Sequence, residues 1–354
     1  MTDSVLREDM ALCAKTLNDN GLLPALSGKT VFITGATGLI GSQMVRTLLE
    51  ANRLYDADIT VAAFIRNEQK AQAMFEDVLP NGKLDFVIGD LSRPVEYDKP
   101  VDYVVHGASA TGSKFFVESP VETIQTAIYG TDRLLQFARD KQVSGMVYLS
   151  SLEVYGVPDG KNPTISESDY GLIDPLSVRS SYSEGKRMVE CLCASYASEY
   201  GVPVKVARLS QTFGAGVEYH DGRVFAEFAR CLMEKKDIVL HTDGSTVRSY
   251  CYTADAVCAL YTILLKGESG EAYNVTNMDT ACSIREMAEL VAGLEPEAGV
   301  NVRIEIPEDL SSFGYNPQMI IRLDASKLKS IGYVPSVGME DMFRRTIRSM
   351  RERI

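Results

Sequence analysis

The chain reads as an α/β protein, a doubly wound parallel sheet carrying a smaller lobe that lies mostly C-terminal to it. Three observations predict this. Strand and helix patterns alternate from Lys29 to about Ser210, three glycines (Gly35, Gly38, Gly41) separate the first strand from the helix after it, and 354 residues exceed one average domain. The expected division is a helical extension over 1–27, a Rossmann-type domain over 28–213, and a substrate-binding lobe formed mainly by 214–354, with the chain free to cross back.

Each element has its own signal. Val5, Leu6, Met10, Leu12, Cys13 and Leu17 form roughly one helical stripe that ends at Asn20-Gly21, with Pro24 as a stop, so the first segment is expected to pack on a lobe as an added helix. TVFIT is a strand followed by glycines and the amphipathic SQMVRTLLEAN. ITVAAFIRN pairs in the same way with EQKAQAMFEDV, and KLDFVIGD, DYVVHGAS and GMVYLSS continue the strands. A helix runs from Ser181 to Tyr200, and PVKVARLS follows it as a strand. Beyond Gly214 the pattern loosens, and the segments at 267–274, 294–307 and 311–317 read as Pro- and Gly-containing connections.

Composition limits the function. A net charge of −12 repels a nucleic-acid backbone, so no nucleic-acid partner is expected and any anionic ligand must be caught by a local basic pocket. The seven cysteines lack paired CxxC spacing and read as reduced thiols, and no metal site is expected. MTDSVLREDM has no apolar core and eighteen apolar residues never run together, so neither export nor a membrane span is indicated and the cytoplasm is the expected compartment.

In TGATGLIGS the glycines follow a strand and open a helix, where backbone N–H groups from Thr37 to Gly41, including those of Leu39 and Ile40, can hold a pyrophosphate. The GxxGxxG spacing resembles that of the short-chain dehydrogenase/reductases. The second strand ends in Phe64, Ile65 and Arg66 without the acidic residue that would bind an adenosine ribose. Arg66 can stack on adenine or pair with a 2′-phosphate, so the cofactor is expected to be NAD with NADP left open. Asp90 and Leu91 end the third strand near the adenine, and His106, Ala108 and Ser109 end the fourth, where small residues let backbone approach the cofactor.

Tyr182 and Lys186 stand four apart at the start of a helix and share a face. A phenol of pKa ~10 is a poor base at neutral pH, and a neighbouring ammonium is expected to bring it down towards the working range. Lysine can also hold the nicotinamide ribose. Ser151, ending a strand in LSSLEVYG, supplies a hydroxyl for the oxygen that Tyr182 deprotonates.

The sequence resembles the extended short-chain dehydrogenase/reductases of the NAD-dependent epimerase/dehydratase family, on TGATGLIG, HGAS, SSLEVYG, SYSEGK, RLSQTFGAG and RSYCYTADAV in the family's order. IDPLSVRSSYSEGKR, HDGRVFAEF and DGSTVRSYCYTADAV look most like UDP-glucuronate decarboxylases. The resemblance implies an enzyme acting on a nucleotide-sugar, with Ser151, Tyr182 and Lys186 as the catalytic set and Glu153 as a further functional carboxylate. It implies Arg248 on the substrate diphosphate; Arg179 and Arg223 are candidates for the same anion pocket, since guanidinium forks match phosphate oxygens. Gln211 stands where an asparagine commonly contacts substrate, and Ala127 also replaces a usual asparagine. Family members often pair through two helices per subunit, here the one after Ser181 and that around Gln125–Asp140, which implies a homodimer.

Oxidation at C4 of the sugar creates a ketone, and three outcomes compete. Dehydration wants an acid where Leu152 stands, and leucine cannot donate a proton. Decarboxylation needs a carboxylate β to the ketone, and is the leading expectation. Epimerisation needs only room to turn the ketosugar over. An NADPH-dependent ketosugar reductase and a non-catalytic dinucleotide-sensing regulator stay open beside these.

Overall fold

The computed structural model describes residues 3–109, 113–160, 162, 164–307 and 319–354. The chain opens with α1 (Ser4–Asp19) and the single turn α2 (Leu23–Leu26), then alternates β1 (Thr30–Thr34), α3 (Leu39–Tyr55), β2 (Thr60–Ile65), α4 (Glu68–Phe75), β3 (Leu84–Ile88) and β4 (Tyr103–His106). After α5 (Ser113–Glu118) and α6 (Pro120–Asp140) come β5 (Gly145–Ser151), α7 (Ser181–Tyr200), β6 (Val204–Leu209) and β7 (Gln211–Phe213). The remainder is α8 (Val224–Glu234), β8 (Ile238–Leu240), β9 (Val247–Tyr252), α9 (Thr253–Lys266), β10 (Ala272–Val275), β11 (Asn277–Ser283), α10 (Ile284–Gly293), β12 (Val302–Ile304), α11 (Ser326–Ser330) and α12 (Met339–Arg353).

Seven parallel strands form one sheet in the order β10-β6-β5-β4-β1-β2-β3. Its strands are short continuous apolar runs because helices cover both faces. Val31, Ile33, Val105, Val147 and Leu149 point to one core with Leu17, Met44, Leu48, Leu260 and Leu264. Phe32, Val104, Met146 and Tyr148 point to the other, with Leu134, Leu135, Val189 and Cys193. That is the period of two expected of strands. Because the strands all run parallel, the loops after β1, β4, β5 and β6 gather at the carboxyl edge of the sheet, where such folds bind ligands.

β7, β9 and β11 make a small second sheet and β8 pairs with β12. Two segments that read as loose connections contain strands: residues 272–275 form β10, an edge strand of the main sheet, and 302–304 form β12. Strands of three or four residues lack an internal pattern to betray them; pairing with β6 and β8 creates them. The segment 311–317 lies outside the described residues. α1 lies against α3, α9 and α12, and buries Asp9 where its carboxylate accepts from Tyr252 Oη at 2.6 Å and meets Arg345 at 2.5 Å. Among the described residues no helix is long and apolar enough to cross a membrane.

Candidate active site

The turn after β1 is built for close backbone approach. Gly35 has φ +69, and a Cβ there would lie 2.7 Å from the carbonyl carbon and oxygen of Gly107. At Gly41 a Cβ would lie 2.2 Å from Gly35 O. Gly38 is the N-cap of α3, which has no side-chain cap and no acidic residue in its first turn, so its first N–H groups and the positive end of its dipole are left for a ligand. A dinucleotide pyrophosphate fits these features.

Under this cradle runs a chain of buried hydrogen bonds. Ala108 N donates to Thr34 Oγ1 at 3.2 Å, which pairs with His106 Nδ1 at 2.8 Å; His106 Nε2 pairs with Thr131 Oγ1 at 2.9 Å, which donates to Ala127 O at 2.7 Å. Each hydroxyl has one proton, so the order of donors places the imidazole proton on Nε2. Burial pushes the His106 pKa down to about 3, with the Lys186 charge adding to the effect, so the ring is neutral at working pH. Both ring nitrogens are used, and what His106 offers a ligand is the backbone it holds in place, Gly107 and Ala108. At the third strand's end Asp90 Oδ1 accepts from Ser92 N at 2.7 Å and its pKa is lowered, chiefly by that bond, with smaller contributions from Arg66 and Arg93. Exposed Arg66 therefore faces a carboxylate, and Leu91 is buried against Gly130.

Ser151, Glu153, Arg179, Tyr182 and Lys186 come together where β5 ends against the start of α7. The Tyr182 phenol stacks on Phe116 with centroids 4.2 Å apart and an interplanar angle of 12°. Arg179 Cζ lies 5.3 Å from the Phe116 centroid. Lys186 is 3% exposed and donates to Leu149 O at 2.7 Å, with Nζ 5.7 Å from the Tyr182 centroid and 4.6 Å from that of Tyr148. Burial pulls its pKa down to about 8.

The phenol departs from expectation. Its pKa is pushed up to about 12, first by burial and then by the Glu153 charge, against a hydrogen bond with Ser151 and the charge of Arg179. The ammonium of Lys186 is turned to the Leu149 carbonyl, and the expected lowering by lysine is not among the influences on the phenol. Glu153 is also engaged: Arg179 donates to both of its oxygens at 3.2 Å, and Ser183 Oγ donates at 3.1 Å.

The three arginines expected in one anion pocket do different things. Arg179 pairs with Glu153, and Arg223 pairs with Asp221 at 2.6 Å while covering the Phe225 ring. Each guanidinium took the carboxylate nearest to it, which sequence separation of 26 or 2 residues did not reveal. Arg248 on β9 donates to Val247 O and Met319 O and has no ion pair among the described residues, although it senses the Glu153 charge. Gln211 on β7 is the register partner of Tyr250, two residues from Arg248, which puts Gln211 and Arg248 on one face of the small sheet.

Comparison with known proteins places this arrangement. The model of the NAD dependent epimerase/dehydratase family matches residues 31–276. The chain belongs to that family. A UDP-glucuronic acid decarboxylase of Arabidopsis thaliana (decarboxylase 6) is 29% identical over 320 residues, spanning 89% of this chain and 87% of the relative. One from Danio rerio is 28% identical, spanning 90% and 72%. Among solved structures, a dTDP-glucose 4,6-dehydratase of Streptomyces venezuelae with NAD bound is 26% identical with a TM-score of 0.72, covering 91% of this chain and 97% of that one. A UDP-glucose 4-epimerase of Thermotoga maritima shares the fold at 20% identity and a TM-score of 0.73, covering 92% and 99%.

Within this epimerase/dehydratase-family enzyme, several site residues escape sequence reasoning. Phe116 and Ser183 reach Tyr182 and Glu153 through packing alone; Ser183 sits beside Tyr182 in the motif but gives no sign of its partner. Arg187, one residue past Lys186, donates to Val154 O and Gly171 O and so anchors the turn that carries Glu153. Leu152 is 3% exposed in an apolar cluster with Val154, Tyr155 and Ile321.

Proposed function

We propose that this enzyme binds NAD and transiently oxidises C4 of a nucleotide-diphosphate sugar, and that the sugar is UDP-glucuronate, which it decarboxylates. One observation carries the reading: a carboxylate, Glu153, is already held in a bidentate clasp by Arg179 beside the Tyr182 phenol. A hexuronate whose C4 hydroxyl meets Tyr182 brings its own carboxylate, two carbons away, into the reach of that guanidinium. The decarboxylase relatives support the same choice, and buried Leu152 argues against dehydration, which needs an acid there.

NAD, when bound, supplies the hydride acceptor at the sugar carbon and a positive charge near the phenol. Gly35, Gly38, Gly41 and the start of α3 would hold its pyrophosphate, and Asp90 beside Arg66 favours NAD over a 2′-phosphorylated dinucleotide. Lys186 would hold the ribose hydroxyls. With the positive charge of bound NAD drawing its pKa down, Tyr182 as phenolate would take the C4 hydroxyl proton while Ser151 donates to the same oxygen. Once C4 is a ketone, the bond from C5 to the carboxylate breaks with its electrons drawn into the ketone oxygen, where the Tyr182 and Ser151 hydroxyls stabilise the enolate. C5 then takes a proton from water, and the hydride that bound NAD would supply restores the C4 alcohol as Tyr182 gives its proton back. Arg248, without an ion pair among the described residues, is assigned to the substrate diphosphate.

A 4-epimerase is the second reading, favoured by Glu153 being tied to Arg179 and Ser183 and thus unavailable as a base. Mass spectrometry of UDP-glucuronate incubated with enzyme and NAD separates them. Loss of CO₂ with one deuterium incorporated from D₂O supports decarboxylation; an unchanged mass at a new retention time means epimerisation, and loss of water overturns both.

We further propose a homodimer. Val121, Ile124 and Tyr129 on α6 and Met188 on α7 are exposed, 38% or more each, on two helices that pack together. Light scattering of Tyr129→Glu and Met188→Glu proteins checks this, and a wild-type monomer refutes it.

A further inference from the structure

Behind the catalytic helix lies a buried charged cluster with no part in the chemistry above. Ser150 and Arg208 are register partners on β5 and β6, so both side chains point to the face that α7 covers. There Ser150 Oγ donates to Glu190 Oε1 at 2.5 Å, and Arg208 donates to both Glu190 oxygens through Nε at 3.1 and 3.2 Å and Nη2 at 2.7 Å. Arg208 is 2% exposed, and its Nη1 also donates to Tyr155 Oη and Glu167 O. Glu190 stands one turn beyond Lys186 on α7, and Ser150 directly precedes Ser151. One carboxylate thus ties the helix of the lysine to the strand of the serine. A cavity of about 640 Å³ opens onto the pair, lined by Tyr170, Arg187 and Lys327 among others and by none of Ser151, Tyr182 or Lys186.

We propose that Glu190, clamped by Arg208 and Ser150, is a positioning residue for the reaction: it fixes Lys186 against β5 and supplies the negative charge that keeps its ammonium protonated beside Tyr182. This rests on the reading of Ser151, Tyr182 and Lys186 as the reacting set. The groups facing Lys186 are Tyr182, Glu190 and Cys193 from its own helix, Tyr148 from β5 and His106 from β4. Burial keeps Tyr148, Tyr182 and Cys193 protonated and His106 neutral at physiological pH, which leaves Glu190 as the one anion among them. Its charge opposes the desolvation that drives the lysine towards neutrality.

The test is a pair of variants with opposite signs. Glu190→Gln removes the anion and leaves Arg208 positive, so an NMR titration of the Lys186 Nζ, assigned by its disappearance in Lys186→Met, should move down by about one pH unit. Arg208→Gln leaves Glu190 uncompensated, and the same midpoint should move up. The alkaline limb of kcat against pH should follow each shift, whereas a merely structural role would lower kcat without moving the limb. Glu190→Asp, keeping the charge, should restore most of the wild-type midpoint and carries the test with Arg208→Gln where Glu190→Gln does not fold. An unmoved midpoint, or both charge variants moving it the same way, overturns the proposal. The midpoint is read without substrate; a Lys186→Met protein that turned over UDP-glucuronate at the wild-type rate would instead sink the catalytic reading.

Discussion

Replacing Gly35 by alanine tests the cofactor cradle without assuming any substrate. The new methyl would sit 2.7 Å from Gly107 C and O and 2.8 Å from Ala108 N, all backbone, where ordinary contacts begin at 3.4 Å. The end of β4 must retreat by at least ~0.7 Å, because backbone cannot rotate away as a side chain can. The left-handed conformation of residue 35, at φ +69, adds roughly 1–2 kcal/mol for any residue with a Cβ. Together these should cost about 2–3 kcal/mol of stability and, since misplacement by ~1 Å at a binding site is felt about a hundredfold, weaken NAD binding by ~30- to 100-fold. Gly82→Ala is the control: its φ is +66, yet nothing lies within 4 Å of its Cβ, so it should show the conformational cost and keep NAD affinity. Calorimetric titration with NAD and circular-dichroism melting read both terms. Wild-type NAD affinity in Gly35→Ala, or an equal loss in Gly82→Ala, refutes the cradle.

Other outcomes follow from the same geometry. Tyr182→Phe should lower kcat by at least ~10²-fold with little change in NAD affinity, as expected for loss of a proton-transfer group, and near-normal turnover would remove Tyr182 from the mechanism. The Lys186 pKa of about 8 means its ammonium is present below that pH and lost above it; activity should fall on the alkaline side of about 8, and Lys186→Arg should move or abolish that limb in a pH-rate profile. His106 titrates at about 3 in the folded chain against an ordinary 6.5, so the unfolded state binds the extra proton between these values. Its contribution to stability is complete above about pH 6.5 and lost as pH falls towards about 3, and urea unfolding of His106→Gln should show a shallower acid decline than wild type. Asp9→Ala strips Arg345 and Tyr252 of their buried partner, and should cost about 2–3 kcal/mol in urea unfolding, a value discounted because Arg345 is 28% exposed.

Motifs that act through local geometry were legible from the chain. The glycine turn works because Gly35, Gly38 and Gly41 must meet backbone in any fold that puts a strand before them and a helix after, and Tyr182 and Lys186 share a face because helices repeat every 3.6 residues. Strand and helix alternation carries the doubly wound sheet for the same reason: period and polarity are properties of a segment and its burial. β10 and β12 were missed since three or four residues hold no period, and the pairings of Arg179 with Glu153 and Arg223 with Asp221 were not legible because a guanidinium binds whichever carboxylate the fold brings to it.

Thus the amino-acid order alone determined the sheet and the glycine turn, and it supplied Ser151, Tyr182 and Lys186 as the set proposed to react. Tertiary structure alone decided what those groups experience: burial and Glu153 raise the phenol's pKa, Phe116 stacks on its ring, Arg179 claims Glu153, Arg208 pairs with Glu190 behind the lysine, and α1 ties Asp9 to Tyr252 and Arg345. Charge and desolvation depend on distances in space, and residues 116, 153, 179, 190 and 208 become neighbours only when β5, β6 and α7 have packed.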